Sequence, residues 1–484
     1  MGKVIIYQML PRLWGNIGGK NIKNGTLKDN GCGKFSSIDT ISLEYLRSLG
    51  VSHVWYTGII RHATAEDSAG CTPSSSDWVK GRAGSPYSIT DYYDVNPYLA
   101  DEPENRMEEF HKLVERTHAA GLKVIIDFVP NHVARDYGRF AAAHPAPTGM
   151  AALGESDDKS VHWKDSNDFF YYPGIPLALP IQNQTYMEMP AMASGNSYTS
   201  SPGVNDWYDT IKLNYCDTHT ETWEKMYDIV NFWAGQGVDG FRCDMVELVP
   251  PAFFKWLISR IKKDRPDLLF VAEVYQKTLY SKYIREIDFD LLYDKSGIYD
   301  TLRAIVEKNA KDSGVPVEDW QSAKRITWNW QSLGDLQPYM LNFLENHDEQ
   351  RFASDFFGCD ARNSYAALYT ALYLNNAPFM LYAGEEVGER GMDNEGFSGR
   401  DGRTSIFDWW APSSLTRLYK YIHGEKEALA PEEETMLDTY RKALKFAAED
   451  NAVSKGTFYD LCYCNYASDG FNPDRHFAFL RDFE

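Results

Sequence analysis

No stretch of this sequence reaches the run of about 18 apolar residues that a bilayer-spanning helix requires, so no membrane span is expected. Positive charge is scarce as well: 49 Lys and Arg stand against 69 Asp and Glu, a formal net charge of −20. Phosphate backbones and anionic membranes are gripped by clustered Lys and Arg, so this balance argues against nucleic acid or an anionic membrane as partner and suits a neutral substrate. Paired cysteine is missing too. The seven cysteines are an odd number at irregular spacing, and Cys462-x-Cys464 is too isolated for a zinc site. Reduced thiols, and with them a reducing, cytoplasmic compartment, are the expectation. Met1-Gly2-Lys3 leads straight into the strand-like Val4-Ile5-Ile6-Tyr7 with no leader-like segment between. No internal repeat or low-complexity tract stands out.

What the chain has is core material. It is 43% hydrophobic and 14% aromatic over 484 residues, enough for one large domain with additions. Short apolar runs alternate with helical patterns. Strands are expected at Val4–Leu10, Val51–Thr57, Leu122–Val129, the lead-in to Gly240, Leu268–Ala272, Asp288–Leu292, Met340–Leu344 and Pro378–Tyr382. Between them, helical spacing appears from Ser37 (Ile38, Ile41, Tyr45, Leu49), over Arg106–Ala120, from Thr218, and over Asp300–Asn309 and Ser364–Leu374. Eight such units point to an α/β fold, a closed (β/α)8 TIM barrel whose active site lies at the C-terminal ends of the strands. The rhythm breaks twice. Residues 133–216 lack periodicity and read as a small domain inserted after the third strand, splitting the barrel into 1–132 and 217–450. Residues 451–484 read as the start of a C-terminal β domain, either abbreviated or truncated.

Three apolar runs stop at acids: Gly240-Phe241-Arg242-Cys243-Asp244, Phe270-Val271-Ala272-Glu273 and Phe343-Leu344-Glu345-Asn346-His347-Asp348. Side chains alternate along a strand, so Arg242 and Asp244 point the same way and the arginine can hold Asp244 ionised. Cys243 then faces away, into barrel packing. Glu273 has no cation near it in sequence, so its carboxyl is expected to sit high enough to be an acid. Retaining glycoside hydrolysis needs such a contrast, with one carboxylate attacking and one carboxylic acid protonating the leaving group. Asp348 could stabilise positive charge on a sugar, His132 and His347 could donate to its hydroxyls, and Tyr87 could stack on its ring.

These stretches resemble the α-amylase family, glycoside hydrolase family 13. The matching residues are Asp127-x-x-x-Asn131-His132, Gly240-x-Arg242-x-Asp244, the strand-end Glu273 and Asn346-His347-Asp348, together with Tyr87 and the eighth-strand turn Tyr382-Ala383-Gly384-Glu385-Glu386. The resemblance implies Asp244 as nucleophile, Glu273 as general acid/base and Asp348 as transition-state stabiliser. It implies that Arg242, His132, His347 and Tyr87 bind substrate at the scissile bond and that Asp127 supports the site. No cofactor is required for that chemistry, but the resemblance implies a structural calcium held by Asn131. Many members carry Lys-His three and four residues after the nucleophile, where this chain has Glu247 and Leu248, so acceptor-side contacts are not inherited. The leading expectation is hydrolysis of α-1,4 links in starch-like glucans or maltooligosaccharides. The alternatives are a 4-α-glucanotransferase, an α-1,6- or exo-acting relative, and, from another class, a non-catalytic glucan-binding barrel.

Overall fold

The computed structural model of the chain describes residues 2–67, 71–216, 218–311 and 316–484. Its centre is a closed, all-parallel barrel of eight strands: β1 Ile5–Met9, β2 His53–Tyr56, β3 Lys123–Phe128, β4 Gly240–Cys243, β5 Leu269–Ala272, β6 Leu291–Tyr293, β7 Met340–Phe343 and β8 Phe379–Tyr382. Each pairs with its neighbours in chain order, and β8 closes on β1 through Ile5 opposite Phe379. The strands are short and nearly continuous in apolar residues because a parallel sheet under helices is buried on both faces. Every residue of β1, β4, β7 and β8 is buried.

The sequence patterns mark these elements with small offsets. The helix expected from Ser37 begins at Thr40, where Asp39 caps it by accepting from the Ser42 amide at 2.9 Å. Its buried face is Ser42, Leu43, Tyr45 and Leu46, so Ile41 lies outside, 44% exposed. The helix Arg106–Ala119 buries Phe110, Leu113, Val114 and Thr117, with Glu108 and Glu109 in its first turn and Arg116 and His118 in its last, as the helix dipole favours. The sixth strand lies three residues later than its expected start. After β2 the chain forms an antiparallel pair outside the barrel, Ile60–His62 with Ile89–Val95.

Between β3 and the helix Glu221–Gly235 the chain makes its long excursion. Two short antiparallel pairs organise it: His132–Ala134 with Thr210–Lys212, and Tyr171–Tyr172 with Ala191–Met192. A buried ion pair fastens it to the helix, Asp168 to Lys225 at 2.6 Å. At the other end Thr457–Asp460 and Phe479–Asp482 form one antiparallel pair. Among the described residues no disulfide joins any cysteine, and no helix is long and apolar enough to cross a membrane.

Candidate active site

Parallel register brings the strand-end residues together. Arg242 on β4 stands between Asp127 on β3 and Val271 on β5, and Cys243 pairs with Ala272. One residue further on, Asp244 and Glu273 therefore leave adjacent strands side by side. Their amides still continue the ladder, Asp244 N–H to Phe128 O and Glu273 N–H to Cys243 O. Cys243 is fully buried.

The Arg242 guanidinium binds both acids. Nη1 lies 2.6 Å from Oδ1 of Asp244 and Nη2 lies 2.8 Å from Oε2 of Glu273. It is 1% exposed and lies within 6 Å of the ring centroids of Trp55, Tyr87 and Tyr293. Glu273 therefore does have a cation at hand, contrary to the expectation from its sequence neighbours. It takes two more donors: the Met245 amide at 2.7 Å to Oε2, and the Tyr275 hydroxyl to Oε1. Met245 reaches this position in the left-handed region, φ 44°, a strained geometry for a residue with a side chain.

Asp348 sits at the rim, its side chain 41% exposed, with Oδ2 3.2 Å from Nε2 of His347. Arg403 donates from Nε to its backbone carbonyl at 2.6 Å. Burial raises the carboxyls of Asp244 and Glu273 above the usual range, against the pull of Arg242. Oδ1 of Asp127 lies 3.6 Å from Nη1 as well, so one guanidinium faces more carboxyls than it can neutralise and the cluster favours retaining a proton.

A chain of hydrogen bonds supports the floor. Gln8 donates from Nε2 to Nδ1 of His347 at 2.8 Å, which places the ring proton on Nε2, facing the Tyr87 hydroxyl. Tyr87 in turn donates to Oδ1 of Asp127 at 3.3 Å, and the Trp55 indole and the Gly58 amide donate to Oδ2. Burial pushes Asp127 up to about 7 while Arg242 opposes it, and burial holds His347 well below the usual histidine range. His132 is buried, pushed down to about 3 by burial, with its ring 5.1 Å from Trp207. A cavity of about 260 Å³ opens beside His347 and Asp348, walled by Arg403, Ser405 and Phe407. A larger one, about 850 Å³, adjoins it at Met392, but its walls of Asp355, Arg390 and Glu433 hold none of the strand-end acids.

Sequence reading missed Gln8, Trp55, Tyr275 and Arg403. Tyr275 alone had a signal, two residues beyond Glu273 and so on the same side of the chain.

The model of the α-amylase catalytic domain matches residues 24–457. The chain belongs to the α-amylase family. Members of that family are glycosidases. The cyclomaltodextrin glucanotransferase of Geobacillus stearothermophilus is 23% identical over 400 residues, covering 79% of this chain and 49% of the relative. The glucan 1,6-α-glucosidase of Streptococcus dysgalactiae subsp. equisimilis is 23% identical over 419 residues, covering 80% and 65%. The α-amylase structure from H. orenii superposes with a TM-score of 0.62 at 22% identity, covering 100% of this chain and 88% of that one, which shows the shared fold. The chain spans about half the length of the first of these curated relatives.

The α-amylase family resemblance implies calcium at Asn131, and the residues present do not fit it. Oδ1 of Asn131 accepts from the Lys212 ammonium, and its Nδ2 donates to Gly195 O at 2.9 Å. Calcium needs six to eight oxygens, and an ammonium already stands on the one Asn131 would offer. Elsewhere, Asp91, Asp94 and His144 are close enough to share an ion, but Arg61 and Arg106 already pair with Asp94.

Proposed function

We propose that this chain is a retaining glycosidase that cleaves α-1,4-glucosidic links in starch-like glucans or maltooligosaccharides. The carrying observation is the Arg242 guanidinium bound at once to Asp244 and Glu273, with Asp348 beside them.

In this reading the Asp244 carboxylate attacks the anomeric carbon as Glu273 gives its proton to the departing glycosidic oxygen. The C1–O bond breaks and a glycosyl ester forms on Asp244. Glu273, now a carboxylate, takes a proton from water as the water oxygen attacks C1, which frees the sugar and restores both groups. Asp348 faces the positive charge that develops on the ring. Arg242 keeps Asp244 ionised and fixes the spacing of the pair. Tyr87 and His347, tied together and to Asp127, present a rigid wall to the sugar bound in the first half of the cycle. The same acids serve transfer when a sugar hydroxyl replaces water, an outcome the named relatives make worth separating.

The test incubates the purified chain with starch, pullulan and maltooligosaccharides in parallel, follows products by chromatography, and reads the first-formed anomer by NMR. Shortened α-1,4 products of α-configuration support the reading, and products longer than the substrate redirect it to transfer. Release of the β-anomer, or full turnover by Asp244→Asn, rejects it.

A further inference from the structure

Lys212 ends the strand Thr210–Lys212 and pairs in register with His132. It is 5% exposed, and among the described residues no carboxylate pairs with it. Its ammonium instead donates to two oxygens from different parts of the fold. One is Oδ1 of Asn131, just past β3. The other is the carbonyl of Leu248, 2.9 Å away, in the turn that follows β4. The Tyr198 ring centroid lies 6.0 Å from the same nitrogen. Asn131 is held on its other side as well: its carbonyl accepts from the Leu213 amide at 3.0 Å and its Nδ2 donates to Gly195.

A side-chain amide oxygen, a carbonyl and an aromatic face thus surround the Lys212 nitrogen. It joins the long excursion to two barrel loops, and one of those loops follows directly from Asp244. Burial with no carboxylate opposite pulls the Lys212 amine down to about 7, so its retention at a junction of three segments needs a reason beyond packing. We propose that the Lys212 ammonium is the built-in cation that fastens the excursion to the barrel mouth in place of a divalent ion. The strand carrying His132 then keeps its position without calcium. Lys212 is a positioning residue, since it touches no candidate catalytic group.

The test starts from the wild-type chain, dialysed against chelator and assayed for metal by plasma mass spectrometry. No stoichiometric calcium, and a Tm that neither chelator nor added calcium moves, is the expected result. One calcium retained per chain, or a Tm that falls on chelation and returns with calcium, overturns the proposal. Lys212→Met keeps the stem and removes the charge, leaving Asn131 Oδ1 and Leu248 O short of a donor. We expect its Tm to fall by about 5 °C. Limited proteolysis should then cut within residues 135–209 before the barrel unfolds. A variant matching wild type in both readouts also overturns the proposal. If the variant cannot be purified, the wild-type metal and Tm measurements decide.

Discussion

Nη2 of Arg242 lies 2.8 Å from Oε2 of Glu273, although the two residues sit on different strands. The other arm of the same guanidinium holds Asp244, so one planar fork sets the spacing of both carboxyls. A lysine at this position offers a compact point charge on a flexible stem and cannot hold both carboxyls at the fixed spacing of the planar fork. Arg242→Lys is expected to lower kcat by about 10²–10³. It should also move the acid limb of the kcat/KM profile to higher pH. The sign follows from the cause: Arg242 pulls the Asp244 carboxyl down, and weakening that pull means ionised Asp244 appears only at higher pH. A pH–rate profile of the variant checks this. An acid limb that stays in place would reduce the arginine to a structural role.

The Tyr275 hydroxyl donates to Oε1 of Glu273 and favours its ionised form. Tyr275→Phe removes that donor, so the Glu273 carboxyl should hold its proton to higher pH. The alkaline limb of kcat/KM is then expected to move up, with a loss in kcat of about tenfold, the worth of one ordinary hydrogen bond. A limb moving down would mean that Tyr275 accepts from Glu273 instead.

The barrel was legible because its signals are local. A strand such as Phe379–Tyr382 is an unbroken apolar run, and the buried face of Glu221–Gly235 repeats at helical spacing through Trp223, Met226, Ile229, Val230 and Trp233. The positions of Asp244, Glu273 and Asp348 followed from the same signals, each acid standing just past a strand end. The partners of those acids did not. Arg242 meets Glu273 only because β4 and β5 pair with Cys243 opposite Ala272, and nothing in either stretch states that register. Lys212 meets Asn131 across 81 residues that carry no period at all. Ile41 shows the limit from the other side: it fits a helical spacing, yet the face the helix buries runs through Ser42, Leu43, Tyr45 and Leu46 and leaves it outside.

Glu385 lies fully buried behind β8, where the Tyr440 hydroxyl donates to Oε1 at 3.1 Å and Oε2 has no partner among the described residues. Burial, with Glu345 close by, raises its carboxyl well above the usual range, and burial pushes Glu345 itself up to about 7. In the folded chain these groups keep protons that the unfolded chain has already released above the ordinary carboxylate range. Stability should therefore fall as pH rises from that range through about 7, the window in which the unfolded state binds fewer protons. Glu385→Gln preserves the acceptor for Tyr440 and removes the ionisation. Its Tm should exceed that of wild type by a few degrees above neutrality and match it more closely in acid, as thermal unfolding at both pH values will show.

Glu247 occupies one of the two positions where many α-amylase family members carry Lys-His, and its carboxylate points to a local task. Its two oxygens accept from the amides of Tyr275 and Gln276, each at 3.1 Å. The turn after β4 thus holds the segment that presents Tyr275 to Glu273. If that is the purpose of the contact, Glu247→Ala should act through Tyr275: a kcat lower by up to about tenfold, and an alkaline limb displaced in the same direction as in Tyr275→Phe. The double variant should then lose little more than either single one, because both break one linkage. Glu247→Gln, which keeps one acceptor oxygen, should fall between wild type and Glu247→Ala. Losses that multiply in the double variant would show that Glu247 and Tyr275 act independently.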